Sequence, residues 1–264
     1  MLSSDRLCGD FSALGVAAGQ VVLLRSSLSS LGHVDGGADT VVAALRAVLG
    51  PGGTLAVPAY SPQNSDTSPQ YRAAVAGMTA EEVARHRAAM TPYDPATTPS
   101  SGIGRIAERV RTLPGARRSA HPHTSFAAVG PLAAAVTDGH ALDCLLGERS
   151  PLARLYDLGA FVLLLGVGYA KCTAFHLAEY RRTGTPPRRS YRAVVADARG
   201  RRWTEFVDVD VDDGDFARIG ADFERACETR RGRVGHADSR LFPIRSAVDH
   251  AATWLAAHRP ATPS

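Results

Sequence analysis

Three chemically reactive side chains, Cys172, His176 and Glu179, fall within eight residues of one another. His176 and Glu179 are three residues apart, so on a helix they share a face, and a histidine held by a carboxylate can act as a general base. Cys172 precedes His176 by four residues and could form a thiolate–imidazolium pair if the helix already begins there. The spacing alone leaves three interpretations open: His176 is a general base oriented by Glu179, Cys172 is a nucleophile, or the His-Glu pair only caps a helix.

A metal site is the fourth alternative, and the sequence argues against it. The His-x-x-Glu spacing of di-iron bundles needs a second copy and two further helical glutamates, and neither is visible. His121 and His123 could add ligands, but nothing in the sequence enforces this, and the zinc motif His-Glu-x-x-His is absent. The aspartate-rich run 208–215 resembles a calcium loop, yet Asp213 stands where that loop requires glycine. We expect no metal, and we interpret the run as an anionic patch or a solvated loop.

The elements around the reactive group predict how it is positioned. Residues 161–166 are apolar up to the final glycine, which predicts a buried strand before a Gly-Val-Gly turn and the segment that carries His176. This order would place the His-Glu pair at the carboxyl edge of a sheet, where α/β proteins bind ligands. Residues 21–24, 39–50 and 54–58 predict a strand, a helix and a second strand. We therefore expect a layered α/β fold.

The rest of the chain predicts further elements and one long irregular segment. Residues 60–101 are rich in Pro, Ser, Thr and Asp, with one helical patch at 79–90, and we interpret about 60–100 as a substrate-side flap. Ser26–Ser30 could form an anion-binding nest of backbone amides, or a serine-rich turn without a ligand. The remaining predicted elements are a helix from Gly102, a strand at 124–130, a helix from Pro131, a hairpin at 189–211 around the turn 197–200, and a helix at 246–258.

Composition limits the class of protein. The 264 residues are 45% hydrophobic and 21% charged, enough for a large core, and we treat residues 1–264 as a single domain. The 30 basic residues exceed the 26 acidic ones only slightly and form no Lys/Arg block, so we expect no nucleic-acid partner. The four cysteines are widely spaced, the first residues lack the pattern of a signal peptide, and no apolar run could span a membrane. A cytoplasmic protein without a membrane partner is expected.

Eight sequence blocks occur in order along nearly the whole chain. They are Ser26–Gly32 with Gly36 and Gly37, Gly50–Leu55, Tyr93–Pro99, Arg118–Ala128, Ser150–Tyr156, Leu163–Gly168, His176–Tyr180 and Gly235–Arg240. Any one block is weak, but the ordered set is specific. In this set the chain resembles the aminoglycoside 3-N-acetyltransferases of the antibiotic acetyltransferase family.

The resemblance implies a fold, a reaction and a set of site residues. The fold would be a layered α/β/α arrangement with a central mixed sheet, distinct from the general GNAT fold. The reaction would move an acetyl group from acetyl-CoA, the co-substrate, to the 3-amino group of a deoxystreptamine aminoglycoside, which confers antibiotic resistance. His176 would be the general base and Glu179 its carboxylate partner. The acetyl-CoA site would be lined by Ser26, Ser27, Leu28, Ser29, His121, Ser125 and Phe126, and the aminoglycoside would lie against Tyr60, Asp66, Glu179 and Asp213.

Two positions depart from the family pattern. Arg25 stands where many members have histidine before the serine-rich turn, and Cys172 stands where asparagine is usual. We expect direct transfer in a ternary complex of a monomer or homodimer. The alternatives are a ping-pong acetyltransferase that uses Cys172, and a non-catalytic small-molecule-binding protein of the same fold.

Overall fold

The structure is a computed structural model that describes residues 2–198 and 200–259. Its strands are β1 (Val21–Ser26), β2 (Thr54–Pro58), β3 (Arg117–Arg118), β4 (Phe126–Val129), β5 (Phe161–Leu165), β6 (Arg188–Asp197), β7 (Gly200–Val209), β8 (Arg230–Val234) and β9 (Ala237–Pro243). Its α-helices are α1 (Ser4–Leu14), α2 (Ala38–Leu49), α3 (Pro69–Val75), α4 (Ala80–Ala89), α5 (Arg105–Arg111), α6 (Ala133–Thr137), α7 (Pro151–Asp157), α8 (Phe175–Arg181), α9 (Phe216–Ala226) and α10 (Ile244–His258).

Seven strands form one mixed sheet in the order β3-β4-β2-β1-β5-β9-β8. The three central strands, β2, β1 and β5, are parallel, and the strands on either side of them pair antiparallel. β1 lies between β2 and β5, so the chain order reverses there and opens a crevice beyond the carboxyl ends of these strands. The predicted layered fold with a central mixed sheet is therefore confirmed.

The alternation of side chains in the central strands builds two cores. In β1, Val21 and Leu23 face one core, whereas Val22 and Leu24 face the other. One core is completed by α1, α2 and α5, and the other by α6 through α10. Because helices cover both faces, the central strands are apolar throughout, as strands buried on two sides must be.

The predicted hairpin is confirmed as the separate two-stranded sheet of β6 and β7, paired from Arg188 with Val209 to Asp197 with Gly200. The turn predicted at 197–200 includes Arg199, which lies outside the described residues. The flap is anchored on this hairpin, since the Asn64 side chain donates to the carbonyl of Val194 (3.2 Å) and accepts from its amide (3.0 Å).

The flap is more regular than predicted. The helical patch is confirmed as α4, which a capping box of Thr79 and Glu82 begins. A second helix, α3, was missed, although Ser68 caps it and Pro69 opens it, a recognisable start signal. The helix predicted from Gly102 begins only at Arg105, because Gly102 and Gly104 both have positive φ. Among the described residues, no helix is both long and apolar enough to cross a membrane.

Candidate functional site

The site lies where the three parallel strands end. β1 leads into Ser26 and the serine-rich turn, β2 leads into Tyr60, and β5 leads through Gly166 into the loop before α8. Arg25, at the end of β1, donates from Nε to the carbonyl oxygen of Lys171 at 3.0 Å. This bond joins the carboxyl end of β1 to the loop that precedes α8.

The His-Glu pair of α8 forms as the sequence predicted. His176 Nδ1 lies 2.7 Å from Glu179 Oε2, and the two side chains are 15% and 3% exposed. The Phe216 ring packs edge-on against the imidazole at 4.7 Å and restricts its rotation. Since a carboxylate only accepts, Nδ1 carries a proton, and in the neutral imidazole the lone pair is therefore on Nε2. The arrangement is that of a general base with its orienting acid.

Glu179 is itself held by groups from distant parts of the chain. Its Oε1 accepts from Arg259 Nη1 at 2.8 Å and from the backbone amide of Asp212 at 2.9 Å. Arg259 also donates from Nε to Asp215 at 2.9 Å. Arg259 is separated from Glu179 by 80 residues and carries no local motif, so no sequence pattern predicts this contact.

Cys172 lies before α8, in a turn where its amide donates to the carbonyl of Tyr169 at 2.8 Å. The residue is fully buried, and this burial raises the pKa of its thiol to about 12. The thiolate form, which is the nucleophile, is therefore disfavoured near neutral pH. The geometry does not favour the cysteine-nucleophile alternative.

The serine-rich turn borders a cavity of about 640 Å³. All four residues predicted from this turn line the cavity: Ser26, Ser27, Leu28 and Ser29. Three cationic side chains, Arg25, Arg105 and Lys171, lie in the same wall. The turn is closed by Ser30, whose hydroxyl donates to the carbonyl of Gly166 at 3.0 Å and lies 2.9 Å from Ser27 Oγ. A cationic cavity of this size suits a phosphorylated ligand.

The structure does not bring the remaining predicted acetyl-CoA residues to this cavity. His121, Ser125 and Phe126 are each 0% exposed and lie in the core. The Ser125 hydroxyl donates to the carbonyl of Ala59 at 2.7 Å, and Phe126 belongs to β4 and packs edge-on against the Tyr60 ring. None of the three lines the cavity, and Ser125 and Phe126 contact residues that directly follow β2, so a direct contact of the three residues with acetyl-CoA stays a prediction.

The His-Pro-His block instead forms part of a buried histidine cluster. His121 Nδ1 accepts from the amides of His123 and Thr124, and its ring stacks on His140 at 4.7 Å. Burial holds the pKa of His121 well below its usual range and lowers the pKa of His123 and His140 to about 4. These histidines are neutral structural groups near neutral pH.

The predicted aminoglycoside residues are placed differently from one another. Tyr60 follows β2 at the carboxyl edge, and burial raises its pKa to about 12. Asp66 anchors the flap, because it accepts from the amide of Arg192 at 3.0 Å. Asp213 is exposed, in the loop whose Asp212 amide holds Glu179. The structure thus places Asp213 near the His-Glu pair but commits Asp66 to the hairpin.

The described ranges, 2–198 and 200–259, contain no group of three or more His, Cys, Asp or Glu side chains arranged to hold a metal ion. What they do contain is a histidine that is hydrogen-bonded to a buried carboxylate beyond the carboxyl ends of parallel strands. His176 follows Lys171, a wall residue of the cationic cavity, by five residues. Fold and site together define a class of protein, an α/β protein with a carboxylate-bound histidine at the carboxyl edge of its sheet and a cationic cavity nearby.

Comparison with known proteins identifies the family within that class. The family model for aminoglycoside 3-N-acetyltransferase matches residues 23–256. The SPbeta prophage-derived aminoglycoside N(3')-acetyltransferase-like protein YokD of Bacillus subtilis (strain 168) is 36% identical over 247 residues, which cover 93% of this chain and 89% of that protein. Aminoglycoside N(3)-acetyltransferase VII of Streptomyces paromomycinus is 37% identical over 270 residues, covering 96% and 91%.

Solved structures agree with the sequence comparison. The crystal structure of YokD from Bacillus subtilis superposes with a TM-score of 0.91 at 35% identity, covering 97% of this chain and 94% of that one. A structure of AAC-IIIb in binary complex with CoASH gives a TM-score of 0.86 at 31% identity, covering 100% and 99%. The chain belongs to the aminoglycoside 3-N-acetyltransferase family and is an acyltransferase.

Proposed function

We propose that this protein transfers the acetyl group of acetyl-CoA to the 3-amino group of a deoxystreptamine aminoglycoside, with His176 as the general base. The observation that carries the proposal is the bond of 2.7 Å between His176 Nδ1 and the buried Glu179, which leaves Nε2 free to accept a proton. Acetylation removes a positive charge from the drug, and we therefore assign the protein a role in antibiotic resistance.

The donor fits the cavity beside the serine-rich turn. Coenzyme A carries several phosphate groups, and Arg25, Arg105 and Lys171 supply three positive charges in the cavity wall. The amides of Leu28 and Ser29 follow β1 and have no hydrogen-bond partner among the described residues. Support also comes from the related AAC-IIIb, which binds CoASH on a similar fold. We assign the cavity to acetyl-CoA, with its thioester directed towards α8.

The acceptor amine attacks in its neutral form, after its ammonium group has released one proton to solvent. His176 Nε2 then takes a second proton from the amine nitrogen as that nitrogen attacks the thioester carbonyl carbon and a new C–N bond forms. The carbon–sulfur bond then breaks, and the departing CoA sulfur takes up the proton that His176 holds. Glu179 stabilises the imidazolium between these steps, and the free amides of the serine-rich turn stabilise the developing oxyanion. General base catalysis contributes about 10²–10⁴-fold, and positioning of the substrates must supply much of the rest.

The aminoglycoside is polycationic, and the loop after β7 offers it negatively charged side chains. Four aspartates lie between β7 and α9, at positions 210, 212, 213 and 215, and Asp213 is exposed beside the segment that holds Glu179. We assign Asp213 and Tyr60 to the acceptor site, with the flap closing over the drug. Asp66 contributes indirectly, since its bond to the Arg192 amide fixes the flap on β6.

The acetyl group passes directly between the two substrates in a ternary complex. The thiol of Cys172, four residues before His176, is fully buried and has a pKa of about 12, so it is a poor acyl carrier.

Release of free CoA, followed with a thiol reagent, tests the proposal. We expect release to need both acetyl-CoA and an aminoglycoside with a 3-amino group, and to be absent with a matched aminoglycoside that lacks this amine. Tight binding of both ligands without release of CoA would instead show a non-catalytic binding protein.

A further inference from the structure

We propose that Arg259 is a positioning residue of the acyl transfer, which orients Glu179 and through it the base His176. The inference rests on the function proposed above. It concerns a residue beyond the part of the chain that the family model matches, which ends at residue 256.

The guanidinium of Arg259 joins three acceptors from two parts of the chain. Nη1 donates to Glu179 at 2.8 Å, Nε donates to Asp215 at 2.9 Å, and Nη2 donates to the carbonyl of Asp212 at 2.8 Å. The side chain of Arg259 is only 19% exposed. A planar fork with three engaged nitrogens has one orientation, so Arg259 fixes the position of whatever it binds.

Glu179 needs such a partner. Its side chain is 3% exposed, and a buried carboxylate without a compensating cation or hydrogen bonds is costly. Arg259 and the Asp212 amide both bind Oε1, which turns Oε2 towards His176 Nδ1. Without Arg259 the carboxylate keeps a single partner on Oε1 and can rotate, so the bond that sets the tautomer of His176 loosens.

The backbone of Arg259 is held by the residue that directly follows α8, the helix that carries Glu179. Arg182 directly follows α8, and its Nη1 donates to the carbonyl of Arg259 at 2.8 Å. His176, Glu179 and Arg182 lie at intervals of three residues, so they share one side of α8 and its end. Arg182 donates to the backbone of Arg259, and the side chain of Arg259 donates to Glu179, one turn earlier. The segment after α10 thus closes a chain of contacts that runs Asp215, Arg259, Glu179, His176.

A rival role is purely structural, in which Arg259 only ties α10 to the loop after β7. The two roles predict different kinetics. A structural tie would affect stability and both substrates, whereas a positioning residue lowers kcat and leaves the affinity for acetyl-CoA intact.

The test is a double-mutant cycle between Arg259→Ala and Glu179→Gln. We expect Arg259→Ala to lower kcat about 10- to 100-fold, the loss that follows when a reacting group is misplaced by about 1 Å, with the KM for acetyl-CoA within about twofold. In the Glu179→Gln background the same change should cost less than about threefold, because the two residues act through one path. Arg259→Lys should recover part of kcat, since an ammonium reaches Glu179 but cannot hold all three acceptors.

Arg218→Ala is the matched control. Arg218 pairs with the same Asp215 at 3.1 Å but is 67% exposed and does not contact Glu179, so we expect wild-type kcat. If Arg259→Ala does not fold, the cycle is run with Arg259→Lys under the same criterion. Wild-type kcat in a folded Arg259 variant would overturn this inference. So would a double mutant whose loss of kcat equals the product of the two single losses, and neither result would affect the proposed function. Absence of turnover in the wild-type protein would overturn the proposed function first.

Discussion

Replacing Glu179 by glutamine removes a negative charge from the group that orients the base while nearly preserving its shape. The carboxylate bonds to His176 at 2.7 Å, and the side chain is 3% exposed. Unit charges about 4 Å apart interact by about 4 kcal/mol at an effective dielectric constant of about 20. Since about 1.4 kcal/mol changes a rate tenfold, loss of this interaction with the imidazolium corresponds to at most about 1,000-fold.

The substitution also disturbs the tautomer of the base. The amide oxygen of glutamine would remain with Arg259, so its NH₂ group would face His176 Nδ1 and donate to it. The ring would then carry its proton on Nε2, the nitrogen that must accept one. Both effects act on the chemical step, and we expect kcat to fall about 100- to 1,000-fold with the KM for acetyl-CoA little changed.

Steady-state CoA release at saturating aminoglycoside measures this effect. Glu148→Gln is the matched control, because Glu148 also pairs with an arginine, Arg181 of α8 at 2.6 Å, but is 56% exposed. An exposed pair contributes about 1 kcal/mol or less, and this control should retain wild-type kcat within about twofold. A folded Glu179→Gln variant with wild-type kcat would refute the reasoning.

Three further predictions address the thiol, the cavity and the histidine cluster. Cys172→Ser should keep kcat within about threefold, and its free energy of unfolding should fall by about 1–3 kcal/mol because the new hydroxyl is buried. Complete loss of acetyl transfer in the folded variant would contradict the direct mechanism. Arg25→Ala should raise the KM for acetyl-CoA by about tenfold, the effect of losing one charge-assisted contact, and an unchanged KM would remove Arg25 from the donor site. Acid should destabilise the fold, because His123 and His140 have a folded pKa of about 4 and the unfolded chain takes up their protons below about pH 6.5. The free energy of unfolding should fall by about 1.4 kcal/mol per pH unit for each of these two histidines as the pH drops towards 4, and urea denaturation that is independent of pH would contradict this.

The local sequence pattern was enough to predict the central strands of the sheet and the pairing of His176 with Glu179. Residues 21–24 and 161–165 are apolar because helices cover both faces of their strands, and such runs are recognisable without a structure. His176 and Glu179 meet because a spacing of three on a helix brings side chains together whatever the rest of the fold does.

What the sequence could not predict depends on contacts between distant segments. Arg259 reaches Glu179 only because α10 packs against α8, and a separation of 80 residues hides this from any local pattern. The motif predicted that His121 lines the acetyl-CoA site, but it could not predict that the ring is buried against His140 and Phe206. Burial is a property of the packed fold, so a motif match alone does not distinguish a contact residue from one that supports the site.

Kinetics and binding of His176→Ala test the central claim most directly. His176 lies at the edge of the core with 15% of its side chain exposed, so the variant should fold. We expect the affinity for acetyl-CoA, measured by titration calorimetry, to stay within about threefold, while the rate of CoA release falls about 10²–10⁴-fold. Turnover at the wild-type rate in this variant would contradict the assignment of His176 as the base.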